Sequence, residues 1–174
     1  FAGTQVGKEL KRDLDQLHQL SYLKLATTQL GQFADSADFT ISYQKQQEKR
    51  ERLRTQDRYD TQGVTVKTLG INNHFYKHFD QHDFIYGIEY YHDDVDSFSS
   101  KNPIQGPVAD DSSYQWFGVY LQDKYAISKQ SAFDVGIRWN YMSVNANKIS
   151  DPLSGNLTQL NKNCQNFIGN IRYN

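Results

Sequence analysis

The sequence predicts an all-β chain, an antiparallel up-and-down meander of about 6–7 strands, and three observations carry that expectation. The first is alternation with period two. Phe117, Val119, Leu121 and Tyr125 alternate with Gly118, Gln122 and Lys124; after a turn at 127–131, Phe133, Val135, Ile137, Trp139 and Tyr141 alternate with Asp134, Gly136, Arg138 and Asn140. The second is composition. Hydrophobic residues reach only 37%, with a mean hydropathy of -0.77, yet 14% of residues are aromatic and nearly all of those are Tyr or Phe. That mix suits strands wetted on one side and edged with ring side chains better than a thick aliphatic core. The third is the sorting of connections, which run short (30–38), long (45–62), short (79–83), long (92–113), short (127–131) and long (143–165). Antiparallel neighbours turn at opposite ends, so the short turns share one rim and the long loops the other.

Taken in order, residues 1–17 are polar, and Leu10, Leu14 and Leu17 stand at i, i+4 and i+7, which fits a short amphipathic helix or a solvated loop. A first strand is expected from His18 to about Thr28, then a turn over 30–38 with Gly31 and two Asp. Phe39, Ile41 and Tyr43 mark the second strand. Lys45 to Asp60 carries six Lys or Arg and four acids with almost nothing apolar, and reads as an exposed helix, a long projecting hairpin or a loop. As a surface it could contact lipopolysaccharide phosphates or a ligand protein; a plainly solvated face is the simpler reading. The third strand restarts at Val64 and runs to about His78, and the fourth sets Phe84, Tyr86, Ile88 and Tyr90 against Gly87 and Glu89. Pro103, Gly106 and Pro107 mark 92–113 as irregular. After the central pair of strands and the polar stretch 143–165, Phe167, Gly169, Ile171 and Tyr173 begin a seventh strand that reads as cut short at Asn174.

The apolar face of the central hairpin has two possible partners. In a soluble sandwich it meets a second sheet about 10 Å away; in an outer-membrane barrel it meets lipid, and a strand needs roughly 9–11 residues to cross. No apolar run approaches the roughly 18 residues of a membrane helix. Cys164 is the single cysteine, which leaves no internal disulfide and no multi-cysteine metal site. A net charge of -1 gives no pull toward nucleic acid. The opening Phe1-Ala2-Gly3 has neither an initiator Met nor a signal-like apolar stretch, so the 174 residues read as a processed or excised piece.

At the central hairpin, Tyr120-Leu121-Gln122-Asp123 followed by Gly136-Ile137-Arg138 resembles the barrel hairpins of TonB-dependent outer-membrane receptors. Leu20 to Leu25, Ser42 to Gln46 and Gly87 to Tyr90 are similar to neighbouring barrel strands of that family. The resemblance covers most of 18–174. It implies that residues 1–174 are a fragment of a 22-stranded transmembrane β-barrel without its plug domain. It also implies import of a scarce nutrient such as an iron siderophore, haem or another metal chelate, across the outer membrane of a Gram-negative bacterium. The implied partners are outer-membrane lipid and lipopolysaccharide, the metal-chelate ligand, and the TonB-ExbB-ExbD complex acting through the plug of the parent. A soluble all-β ligand-binding or adhesion domain is the alternative.

His92, Asp93, Asp94 and Asp96 are the densest ligand-like cluster and are the candidate substrate-binding residues, although their spacing fits no defined metal motif and a hydrated acidic loop is the simpler reading. Tyr120, Gln122, Arg138 and Asn140, with Gly118, are expected to face the lumen, with Arg138 paired among Asp134 and Asp123. His74, His78 and His82 are expected near the short-turn rim. No nucleophile, phosphate loop or paired-acid arrangement stands out, so neither an enzyme nor a resident cofactor is expected.

Overall fold

The computed structural model describes residues 9–151 and 154–174. Seven strands, β1 (Glu9–Thr28), β2 (Ser36–Arg54), β3 (Arg58–Phe79), β4 (His82–Ser99), β5 (Ser112–Ser128), β6 (Ser131–Ser150) and β7 (Leu157–Tyr173), form one sheet in chain order. Each is antiparallel to its neighbours. The outermost strands β1 and β7 have one partner each, so the sheet is open.

The strands are longer than the alternation suggests, and this revises several expectations. β1 starts at Glu9 rather than His18, and the helix or loop expected there is strand wherever the residues are described; 1–8 lie outside them. Leu14 pairs with Arg50 and Leu17 with Gln47, so the leucines fall on opposite faces. The charged stretch after Lys45 is a hairpin, with β2 running to Arg54 and only 55–57 in the turn. Its polar residues find partners across the strands: Gln16 Nε2 donates to Glu48 Oε2 at 3.0 Å, and Arg52 Nη1 meets Glu9 Oε1 at 3.0 Å. A ribbon polar on both faces is held by its ladder and such pairs, which hydrophobic periodicity does not register. Likewise β4 continues through the expected loop to Ser99, β6 continues to Ser150, and β7 is a strand of 17 residues in register with β6 to its end.

Short and long ends persist in altered form. At one rim the connections are 29–35, 80–81 and 129–130. At the other they are 55–57, 100–111 and 151–156, and the length expected of loops is largely strand reaching past the apolar band.

That band lies on one face. It holds Leu23, Ile41, Ile71, Ile88, Val119, Leu121, Val135, Ile137 and Ile171, all exposed, with Ile171 at 74%. Rings gather at its margins. Near the short turns Phe33, Phe39, Phe75 and Tyr86 interlock at 5.0–5.6 Å, and His82 stacks on Tyr125 at 4.8 Å. At the other margin Phe117, Trp139 and Tyr141 meet edge to face or tilted. The nine residues from Phe117 to Tyr125 cover about 27 Å along the strand at about 3.4 Å per step, close to the roughly 9–11 residues with which a tilted barrel strand crosses lipid. Beyond Phe117 the same face turns to Lys45, Lys67, Asp94, Gln115 and Asn145.

Among the described residues the buried apolar side chains are Val95 and five alanines, and no second sheet covers the band. The sandwich expected of a soluble domain is therefore not formed.

Candidate ligand-binding face

The opposite face, named here for Arg138, carries a chain of polar contacts across five strands. Tyr120 on β5 pairs directly with Arg138 on β6, and Gly118 with Asn140. Arg138 donates through Nε to Asn140 Oδ1 at 2.7 Å and through Nη2 to Glu89 on β4. Its guanidinium also lies 4.9 Å from the Trp116 ring centroid and 5.6 Å from that of Tyr120. Asn140 Nδ2 passes the chain to Asn166 Oδ1 on β7 at 3.0 Å. Toward β3, the Tyr120 hydroxyl meets His74 Nδ1, and Asn72 Nδ2 donates to the Tyr91 hydroxyl at 2.8 Å.

Two glycines make room for this. A Cβ at Gly118 would come within 2.6 Å of Arg138 Nη2, and one at Gly87 within 2.6 Å of the Tyr120 hydroxyl. The large side chains lie flat over neighbouring strands because the residues beneath them have no side chain.

Toward the long-loop end the face becomes a cavity of about 310 Å³. Tyr91, Trp116 and Met142 line it nearest the Arg138 network; Asp93, Val95 and Tyr114 lie further out, and Pro107 of the β4–β5 connection lines one side. Pro107 belongs to a short 3-10 turn (Gly106–Val108), and its neighbour Val108 closes a second cavity of about 290 Å³ over β1, β2 and β3. The β4–β5 connection therefore folds across the face instead of projecting from it.

Asp110 fastens that connection. Ser97 N–H donates to Asp110 Oδ1 at 3.0 Å and Lys148 Nζ to Oδ2 at 2.8 Å, while Asn147 N–H donates to the Asp111 carbonyl at 3.0 Å. Lys148 holds the Asp110 carboxyl below its usual range. Beyond the cavities, buried Asp60 binds Arg52 at 3.0 Å, Lys101 at 3.4 Å and Arg54 at 3.6 Å, and the Arg52 bonds depress its pKa.

The structure divides the acidic cluster expected at 92–96. Because β4 continues, His92, Asp94 and Asp96 lie on the face that bears the apolar band, beyond its margin, and Asp93 lies on the Arg138 face. His92 Nε2 meets Asp94 Oδ1 at 3.1 Å and Lys67 meets Asp96 at 3.8 Å. Among the described residues no group of three or more His, Cys, Asp or Glu is placed to hold a metal ion. Tyr120, Gln122, Arg138 and Asn140 share one face, with Gln122 opposite Gly136.

The expected partner of Arg138 needs correcting. Asp123 faces the other way and meets His82 at 2.7 Å, and Asp134 bonds Asn174, so the ion pair forms with Glu89. His78 and His82 sit at the short-turn rim as expected, whereas His74 lies deeper, against Tyr120. Sequence reasoning passed over Glu89, Tyr91, Trp116 and Met142. Their parity with Gly87 on β4, Gly118 on β5 and Arg138 on β6 already puts them on this face.

An open antiparallel meander with long strands, an aromatic-edged lipid-height band and a polar network behind it is the wall of an outer-membrane β-barrel. The family model described as TonB dependent receptor-like, beta-barrel matches residues 3–163, and the chain belongs to that family. The family is one of receptors and transporters of the Gram-negative outer membrane. Among solved structures, the copper transporter OprC is similar with a TM-score of 0.76 at 11% identity, over 92% of this chain and 28% of that one. At that identity the likeness shows the fold. No curated protein matches the sequence.

Proposed function

We propose that this chain is a wall segment of a TonB-dependent receptor that imports a scarce nutrient, a metal chelate such as an iron siderophore or haem among them. The observation that carries this reading is the pairing of a lipid-height apolar band on one face with a hydrogen-bonded polar face behind it. Tyr120, Gln122, Arg138 and Asn140 line the lumen in this reading, the short turns are periplasmic and the long hairpins extracellular. Seven strands with two free edges complete their pairing with further strands of the same barrel, since an unpaired edge is not tolerated in lipid. Energy reaches the receptor in this reading through a plug and the TonB-ExbB-ExbD complex.

Asp93 is the member of the acidic cluster placed to meet a ligand entering the lumen, and the β4–β5 connection shapes the entry. His92, Asp94 and Asp96 face outward, toward the headgroups of lipopolysaccharide. The test is genetic. Deleting the gene in a strain starved of metal should abolish growth on one chelate, and loss of TonB should do the same. Growth unchanged on every chelate and nutrient offered would refute import.

A further inference from the structure

We infer that the cavity under Pro107 binds a positively charged group carried on an apolar frame, an ammonium or similar organic cation, with Asp93 as its counter-ion. This names the ligand chemistry of the entry site and rests on the import reading above. Four features of the cavity point the same way.

Its walls are mostly rings and apolar side chains: Tyr91, Tyr114, Trp116, Met142 and Val95. Aromatic faces and a polarizable thioether attract an organic cation, and the apolar walls suit its methylene or methyl groups. Asp93 is the one charged residue lining the space, it is half-buried, and no hydrogen bond or ion pair joins it to the other described residues. The nearby cation Arg138 is already matched by Glu89, so the charge left over in the cavity is negative. Tyr114 presents a neutral ring and a hydroxyl donor instead of a second anion. A free carboxylate or propionate entering here would meet Asp93 without a compensating cation.

The cavity is also built. Pro107 reaches it from a connection held through Asp110 to both β4 and β6, which limits the freedom of that wall. A preformed site loses less entropy on binding.

The experiment uses the full-length receptor, purified in detergent, and two soluble probes of one shape: choline, and 3,3-dimethylbutan-1-ol as its uncharged counterpart. Calorimetric titration should show choline binding at least tenfold more tightly. Asp93→Asn should erase that preference, and Asp93→Glu should keep most of it. Equal binding of the two probes, no saturable binding of choline at millimolar concentration, or a preference that survives Asp93→Asn would each overturn the inference. Growth assays separate this from the import reading. TonB-dependent growth on a chelate with no choline binding defeats the cation site alone; choline preference lost in Asp93→Asn, with growth independent of the gene, defeats import and leaves the site standing.

Discussion

Asp60 is 6% exposed and faces three cations, so it carries much of the order at the tip of the β2–β3 hairpin. Its folded pKa lies below the ordinary value. The stability it contributes is therefore present above the unfolded pKa of about 3.9 and is lost as pH falls through the lower, folded value. Protection of the amides across 52–62, corrected for their intrinsic exchange rate, should hold at pH 7 and pH 5 and fall only in stronger acid. Asp60→Asn should bring fast exchange at pH 7, a local loss of about 1–3 kcal/mol. Unchanged exchange in the variant would show that the three cations hold the tip without it. On the Arg138 face, Gly118→Leu should expel the guanidinium from its place over β5 and lower receptor yield in the membrane; Arg138→Ala in the same chain should recover part of it. At this scale the sequence was legible only in parity. It put Arg138 and Asn140 on one face, and parity also sets Asp123 on the other, but the placing of Glu89 within reach of Arg138 depends on interstrand register, which no single strand contains.

Elements were legible where one face is apolar and illegible where both are polar. The centre of the sheet has the alternation that period-two reading detects, and the middles of β3 to β6 stand where it puts them, while β3, β4 and β6 extend beyond the expected ends toward the long-loop rim. The outer halves of β1, β2 and β6 lack an apolar face, so their strand character comes from ladder bonds and cross-strand pairs. Register is the sharpest property to test there. Met142 lies directly opposite Cys164 in the β6–β7 pair, so Met142→Cys should form a disulfide with Cys164 under mild oxidation. A one-residue slip would put Ser143 or Tyr141 there, and Ser143→Cys would crosslink instead. For the band, Ile137 is 55% exposed, and Ile137→Arg should cost about 2–4 kcal/mol of membrane stability. Ile137→Ala should fall well short of the roughly 2–5 kcal/mol lost when a packed core is truncated. Measured by urea unfolding in lipid vesicles, a large Ala effect with a small Arg effect would mean that protein, not lipid, covers the band. The β4–β5 connection makes a different point. Its Gly and Pro residues marked irregular backbone correctly, but nothing in 100–111 foretold that it turns inward, because that depends on Lys148 some forty residues later.

At the scale of the molecule, among the described residues every strand pairs only with strands adjacent in the chain, and no buried core ties distant parts together. Nearest-neighbour pairing gives a low contact order, which favours growth of the sheet hairpin by hairpin. It also separates circumference from chemistry. A hairpin duplicated or deleted elsewhere in such a wall would change its girth while leaving the network around Arg138 and the hollow beside Pro107 as they are, so circumference can vary without disturbing either.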